Sequence, residues 1–498
     1  METLGNLQAG LMAALQFDAL LLCLLGVTLG TLVGVLPGIG AITAVALLLP
    51  LTFDLPPAGA IMLLAGIYYG SEYGGSISSI LLNIPGTPAS IVTGFDGYPM
   101  ARQGHAGMAL LLTALASLFG GVVGIMVMLV AAPAIGTLAM SFGAAEFTAL
   151  IVLGLIIAVF INDHRIPQGM AMLCLGMLLG MVGMDVNTGV QRFTLDWDYL
   201  QDGISLVIFA MGLFGVSELF QAYTQQGQDA LPVKTGSLFR GLRETNALRR
   251  FLPSSVRGAG VGAFFGALPG TGPTIASFIA YAVEKRLLPR RYVMGTGTIE
   301  GVCSPEAANN AAAQTAFIPT LTLGLPGSAT MAVMLGALMM HGITPGPAIV
   351  TQHAEVYWAL IGSFLVGNVL LLVLNVPLIR LWILILKVPR YVLNPAMLTL
   401  ICVGAYTLHR NPFDVLMLFV FGCLGFFLRT RGYPLASVLI GFIMGPLLEE
   451  HLRRVLLISQ GDLGYFLQRP VSLVLFFMGA VVVALSLWSS RQARREAG

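Results

Sequence analysis

Charge is what this 498-residue sequence has least of: 10% of its residues are Asp, Glu, Lys or Arg, against 57% apolar ones. A soluble globular chain carries about 25% charged residues. The polar surface needed to coat a water-soluble body of this size is missing. That excludes a soluble enzyme, a nucleic-acid binder and a disordered chain. A net charge of +2 points to no polyanionic partner. Basic residues are also missing at the start. The first is Arg102, so no basic n-region precedes the apolar run Ala19–Val35. That run is read as a first membrane helix and not as a cleaved signal. The five cysteines, Cys23, Cys174, Cys303, Cys402 and Cys423, form no CxxC pair and are expected to be free thiols. His105, His164, His341 and His353 lack metal spacing and read as loop or interface residues. No nucleophile–base pattern, phosphate loop or haem site is present, so neither a cofactor nor a transition metal is expected.

What remains is an all-α polytopic membrane protein. Mean hydropathy is +0.87, and apolar runs recur from residue 19 to residue 489. They predict about 11–13 crossings, some too short for the ~20 residues of a full span and therefore re-entrant or broken. Sixty glycines and 26 prolines in this background call for broken, kinked or closely packed helices. The longest polar stretch, Gln221–Arg257, is basic, and 10 of the 25 Lys/Arg lie between 234 and 291. By the positive-inside rule this stretch and the tail (Arg491, Arg494, Arg495) face the cytoplasm. Asp185–Asp202, which mixes aromatic and acidic residues, suits an interfacial loop on the outer face.

An internal repeat is the most informative pattern. Gly34–Gly40 (GVLPGIG) recurs as Gly266–Gly272 (GALPGTG), an offset of 269 − 37 = 232 at which Gly30 also maps onto Gly262. Leu82–Thr87 (LNIPGT) recurs as Leu323–Ser328 (LGLPGS), an offset of 326 − 85 = 241. The predicted organisation is a first transmembrane repeat over 1–220, a basic cytoplasmic linker over 221–255, a second repeat over 256–430, and C-terminal helices with a basic tail over 431–498. The stretch Gly94–His105, read as a loop, holds Arg102, whereas its counterpart Gly342–Ala354 holds no Lys or Arg. That difference favours inverted copies.

Proline ends a helix, and glycine lets groups approach the backbone. A helix restarting after Pro-Gly leaves free N–H groups at the positive end of its dipole, a ready seat for a carboxylate. Four such breaks are expected to converge near the membrane midplane around one anion. Each helix end contributes about 0.3–2 kcal/mol. Thr87, Ser90, Ser328 and Thr330 add hydroxyls. A polar cluster surrounds Glu306, Asn309 and Asn310, which share a helix face. The Asn pair offers donors to a carboxylate and carbonyl oxygens to Na⁺. Glu306 also fits a structural reading in which Ser304 is the N-cap and Pro305 opens the helix. In the first half, Tyr68–Asn83 is a comparable small-polar stretch containing Glu72. Packing alone also accounts for it.

The strings GVLPGIG (34–40), YGSEYGGSISSILLNIPGTPA (69–89), GFDGYPMA (94–101), EAANNAA (306–312) and IPTLTLGLPGSATMAVMLGALMMHGITPGP (318–347) resemble the large membrane subunit of the tripartite tricarboxylate transporter family, TctA-type. The likeness covers roughly residues 15–430. It implies a secondary transporter of the bacterial inner membrane and no enzyme activity. Its partners would be a small four-helix membrane subunit and a periplasmic solute-binding protein. It implies import of citrate-like di- and tricarboxylates by Na⁺ or H⁺ symport. The family's Pro-Gly motifs map onto Pro37-Gly38, Pro85-Gly86, Pro269-Gly270 and Pro326-Gly327, and its Asn pair onto Asn309 and Asn310. Ser71-Glu72 departs from the family's small or apolar residues.

The expected substrate residues are Asn83, Gly86, Thr87, Ser90, Asn309, Asn310, Gly327, Ser328 and Thr330. The expected cation residues are Pro37, Gly38, Gly40, Pro269, Gly270, Thr271 and Thr274. Glu72 and Glu306 are the coupling candidates. A membrane-embedded enzyme acting on lipid-linked substrates and an anion channel are the rival readings. The first wants a sizeable aqueous domain, and the second would carry steady ohmic current.

Overall fold

A computed structural model describes residues 2–36, 40–160, 166–185, 188–224, 247–289, 292–378, 381–382 and 390–496. Pro37, Gly38 and most of the basic linker (225–246) lie outside the described residues. The first half comprises α1 (Glu2–Ala14), α2 (Phe17–Val35), α3 (Gly40–Leu48), α4 (Pro57–Leu82), α5 (Ser90–Met100) and α6 (Ala106–Ala139), followed by α7 (Ala144–Phe160) and α8 (Ile166–Gly180). A two-stranded ribbon, Gly183–Met184 against Gln191–Arg192, and a helix over 206–224 lead to the linker. This second helix is α9 (Leu206–Ala210), a π turn and α10 (Ser217–Thr224).

The second half repeats the pattern as α11 (Ala247–Gly266), α12 (Gly272–Leu287), α13 (Ile299–Thr315), α14 (Phe317–Leu323), α15 (Ala329–Met340), α16 (Ile349–Gln352) and α17 (Ala354–Asn375). The C-terminal helices α18 (Arg390–His409), α19 (Pro412–Thr430), α20 (Leu435–Ile458) and α21 (Pro470–Glu496) complete the chain. Among the described residues, six helices are long and apolar enough to span a bilayer, and five shorter apolar ones accompany them. The fold is therefore an all-α polytopic membrane protein.

The two halves are built alike because their glycines are placed alike. Gly26, Gly30 and Gly34 of α2 press on the backbone of Leu63, Ile67 and Ser71 of α4. Gly258, Gly262 and Gly266 of α11 press on Ser304, Ala308 and Ala312 of α13. The glycines differ by 262 − 30 = 232 and their seats by 308 − 67 = 241, which are the two offsets of the sequence repeat. A Cβ on Gly30 would stand 2.7 Å from Ile67 Cα, and one on Gly262 would stand 2.6 Å from Ala308 Cα. Small residues let the helix backbones touch, as membrane helices do.

The equivalent helices α4 and α13 run past each other in opposite directions. Tyr68 meets Phe317, with ring centroids 6.1 Å apart. Glu72 faces Asn309, and Ser76 Oγ donates to Glu306 at 2.6 Å. As the first number rises, the second falls. The ends are reciprocal too. The end of α5 meets the connector before α13, where Gln103 Nε2 donates to Thr296 O at 2.8 Å. The end of α15 meets the connector before α4, where His341 Nε2 lies 3.1 Å from Thr52 Oγ1. Two-fold relations produce such exchanged contacts. Arg257 pairs with the buried Glu284, its Nε donating at 3.0 Å. That pairing makes α11 and α12 an antiparallel hairpin closed at the Pro-Gly turn.

Two readings are corrected. Gly94–His105 is not a loop: α5 continues through a π turn, with Gly104 at φ 87° as its irregular point. Ser304 is not the N-cap of α13. Thr298 is, its side chain accepting from Gly301 N at 3.3 Å, so Ser304 and Pro305 sit inside the helix.

Candidate functional site

Every residue of α13 is buried, although the helix carries Glu300, Ser304, Glu306, Asn309, Asn310, Gln314 and Thr315. Buried polar groups need partners. Glu306 has four: Ser76 Oγ at 2.6 Å, Thr93 Oγ1 at 3.0 Å, Ser117 Oγ at 2.7 Å and Asn310 Nδ2 at 3.1 Å. The three hydroxyls come from α4, α5 and α6. Glu306 thus ties three first-half helices to one of the second half.

One turn further along α13 the accounting changes. Both side-chain atoms of Asn309 lack a hydrogen-bond partner, as do Asn310 Oδ1, Gln314 Oε1, Glu72 Oε2 and Tyr68 OH. All these atoms are buried. Thr87 and Asn309 face the Glu72 carboxyl without closing the pairing of Asn309 or of Glu72 Oε2, and Tyr68 faces Ser328. The two Pro-Gly breaks after α4 and α14 therefore present their hydroxyls to the same unpartnered set. Orphaned polar atoms at membrane depth mark a place that receives a polar guest.

The breaks match each other closely. Asn83 (φ 57°) and Gly324 (φ 67°) end their helices in the left-handed conformation, 324 − 83 = 241 residues apart. Thr87 Oγ1 accepts from Ser90 N at 3.4 Å, and Ser328 Oγ accepts from Met331 N at 3.2 Å. Ser328 is the N-cap of α15, whereas Thr87 lies two residues before Ala89, the N-cap position of α5. In the first half, Gly40 N donates to Gly86 O at 3.1 Å, so the two breaks touch. In the second half Gly272 packs on Ser328, a Cβ there standing 2.9 Å from the serine's Cβ. Gly40 and Gly272 both have positive φ, 69° and 62°.

Of the expected substrate residues, Gly86, Thr87, Asn309, Asn310, Gly327 and Ser328 are drawn together. Ser90 sits beside them, but its hydroxyl is taken by Ser79 and Thr87. Thr330 is buried in the first turn of α15, and Asn83 is exposed at the rim. Among the expected cation residues, Thr271 donates to Phe265 O and Leu268 O, and Thr274 is half-buried. Pro269 and Gly270 pack near Gly154, Ile157 and Ala158 of α7. The halves differ where it matters: Asn309 and Asn310 correspond, at the 241 offset, to Tyr68 and Tyr69. A cavity of ≈ 730 Å³ lies elsewhere, between α1, α2 and the starts of α4 and α17, and none of the expected site residues lines it.

One acid escaped the sequence reading. Asp96 of α5 is fully buried and accepts from Tyr281 OH (2.9 Å), Gly295 N (2.9 Å), Gly297 N (2.9 Å), Thr298 N (2.6 Å) and Thr298 Oγ1 (3.0 Å). It sits at the N-terminus of α13, where the dipole favours an anion. Lone Asp96 in a weakly polar helix and the run Gly295–Thr298 (GTGT) are the signals that could have been joined. Asp96→Ala is expected to lower thermal stability in detergent by about 3 kcal/mol, because several buried donors lose their acceptor. An unchanged melt would remove Asp96 as a latch between the halves.

No solved structure matches the chain. An uncharacterized 52.8 kDa protein in the TAR-I ttuC' 3' region of Agrobacterium vitis is 43% identical over 496 residues, covering 100% of this chain and 98% of the relative. An uncharacterized protein in the TAR-II ttuC' 3' region of the same organism is 46% identical over 235 residues, covering 47% of this chain and 97% of the relative. Residues 20–440 match the tripartite tricarboxylate transporter TctA family, and the chain, matched over most of its length, belongs to that family.

Proposed function

We propose that this chain, the large membrane subunit of a tripartite tricarboxylate transporter, imports citrate-like di- or tricarboxylates by cation symport. The observation that carries the reading is the set of buried amide atoms without partners, both of Asn309 and Asn310 Oδ1, beside the two helix restarts at Thr87 and Ser328. Carboxylate oxygens would accept from Asn309 Nδ2 and from N–H groups of the helix restarts at Ala89 and Ser328–Thr330, since those of Gly86, Thr87, Ser90 and Gly327 already donate within the protein. Helix ends aimed at an anion offset its desolvation without a permanent Arg. In this reading the small four-helix subunit and the periplasmic binding protein deliver the substrate across a bacterial inner membrane. The C-terminus and the basic linker lie in the cytoplasm. Backbone carbonyls and hydroxyls near Gly40 and Pro269–Thr274 would form a rival seat for the coupling cation, against the acid argued below.

Uptake of radiolabelled citrate into vesicles holding the chain with its two partners tests this. Asn309→Ala with Asn310→Ala is expected to reduce uptake at least 10-fold. Unchanged uptake and affinity would remove the site assignment. Steady ohmic current in a planar bilayer would replace the carrier by a channel. Replacing Na⁺ by choline at fixed pH separates Na⁺ from proton coupling.

A further inference from the structure

We infer that Glu72, and not Glu306, is the residue on which the coupling cation binds, with Asn309 and Thr87 as its neighbours. Two acids lie on oppositely running helices one turn apart in the contact series, Glu72 on α4 opposite Asn309 and Glu306 on α13 opposite Ser76. Among the described residues no Lys or Arg pairs with Glu72, and the Glu306 carboxyl is a like charge that bears on it. Two uncompensated negative charges at membrane depth are too costly to coexist, so the pair needs one positive charge. The hydrogen bonds decide which acid takes it. Glu306 is already supplied with four donors. Donors on a carboxylate favour its charged form and hold it in place. Glu72 is 5% exposed, and its Oε2 has no partner.

What faces Glu72 is suited to a small cation. Asn309 Oδ1 is unpartnered and Thr87 contributes a hydroxyl oxygen. With the carboxylate these make hard oxygen ligands for Na⁺. A proton on Glu72 would instead donate to Asn309 Oδ1. Either way Asn309 is shared: its carbonyl turns to the cation and its N–H₂ to the substrate. Cation binding therefore orients the amide that the carboxylate needs, and that gives symport a physical basis. Tyr68 and Tyr73, on the same helix, are further titratable groups near Glu72.

This inference rests on the carrier reading proposed above, but its test needs no carboxylate. Purified full-length protein in detergent is melted in 0–200 mM NaCl, with choline chloride holding ionic strength constant, and again in choline across pH 5–9. Wild type is expected to respond to Na⁺, or to pH alone if the cation is a proton. Glu72→Gln is expected to abolish that response, and Asn309→Ala to weaken the apparent cation affinity about 10-fold. Glu306→Gln is expected to melt lower yet keep the response. If Glu72→Gln does not fold, Asn309→Ala and Glu306→Gln still decide the matter. The inference is overturned if Glu72→Gln or Asn309→Ala responds like wild type. It is overturned equally if the response is lost in Glu306→Gln, or in Thr271→Ala with Thr274→Ala, while Asn309→Ala keeps it. A response lost in Glu72→Gln with no citrate uptake in wild type would retain the cation site and sink the carboxylate reading.

Discussion

Glu306→Leu is expected to yield little folded protein, with a loss of about 4 kcal/mol or more. The substitution removes the acceptor of four buried donors on four helices, and each stranded donor costs about 1–3 kcal/mol. Leucine fills much of the volume but satisfies none of them. Glu306→Gln keeps an acceptor, and the hydroxyls can rotate, so a loss of about 2 kcal/mol is expected. Ser76, Thr93 and Ser117 should each couple to Glu306 by about 0.5–3 kcal/mol in double-mutant cycles read by thermal melts. Additive effects at all three positions would show that the carboxylate does not hold the helices together.

The second large effect lies in the glycine ridges. Gly30→Leu and Gly262→Leu are each expected to lose about 3 kcal/mol, since the new side chain meets backbone and not a movable side-chain tip. The two losses should be similar, because the two seats are equivalent. Gly260→Leu is the control. It lies on the same helix as Gly262, yet nothing stands within 4 Å of its Cβ position. It should be neutral or mildly stabilising, as glycine is a poor helix former. If Gly260→Leu costs as much as Gly262→Leu, the ridge packing is wrong. If Gly30→Leu and Gly262→Leu differ widely, the equivalence of the halves fails.

Much of this was legible in the residues themselves. Scarcity of charge gave the class of protein, and two Pro-Gly strings at similar offsets gave the duplication. Hydroxyls placed next to Pro-Gly stood out as ligand candidates, but gave no sign that Ser328 also caps α15. The Asn pair stood out because amides are rare at membrane depth. Long-range pairing was not legible. Nothing local says that Glu306 will find Ser76, Thr93 and Ser117, 189 to 230 residues away. Asp96 was missed for the same reason, since its donors lie about 200 residues later in the chain. The start of α13 was misplaced because Ser304-Pro305-Glu306 imitates a capped first turn. Thr298 holds the real one, and Pro305, lacking an N–H, is accommodated inside.

The glycine ridges have a mechanical consequence. Where backbone rests on backbone there is no side-chain cushion to deform, and packed interiors compress little. Each hairpin and its long helix, α2–α3 with α4 and α11–α12 with α13, therefore behaves as a stiff block. Slack is confined to the joints: the end of α5 at Thr296–Thr298, and the end of α15 at Thr52. The first joint is bolted by a five-contact carboxylate cage, whereas among the described residues the second has one side-chain hydrogen bond, the imidazole–hydroxyl pair His341–Thr52.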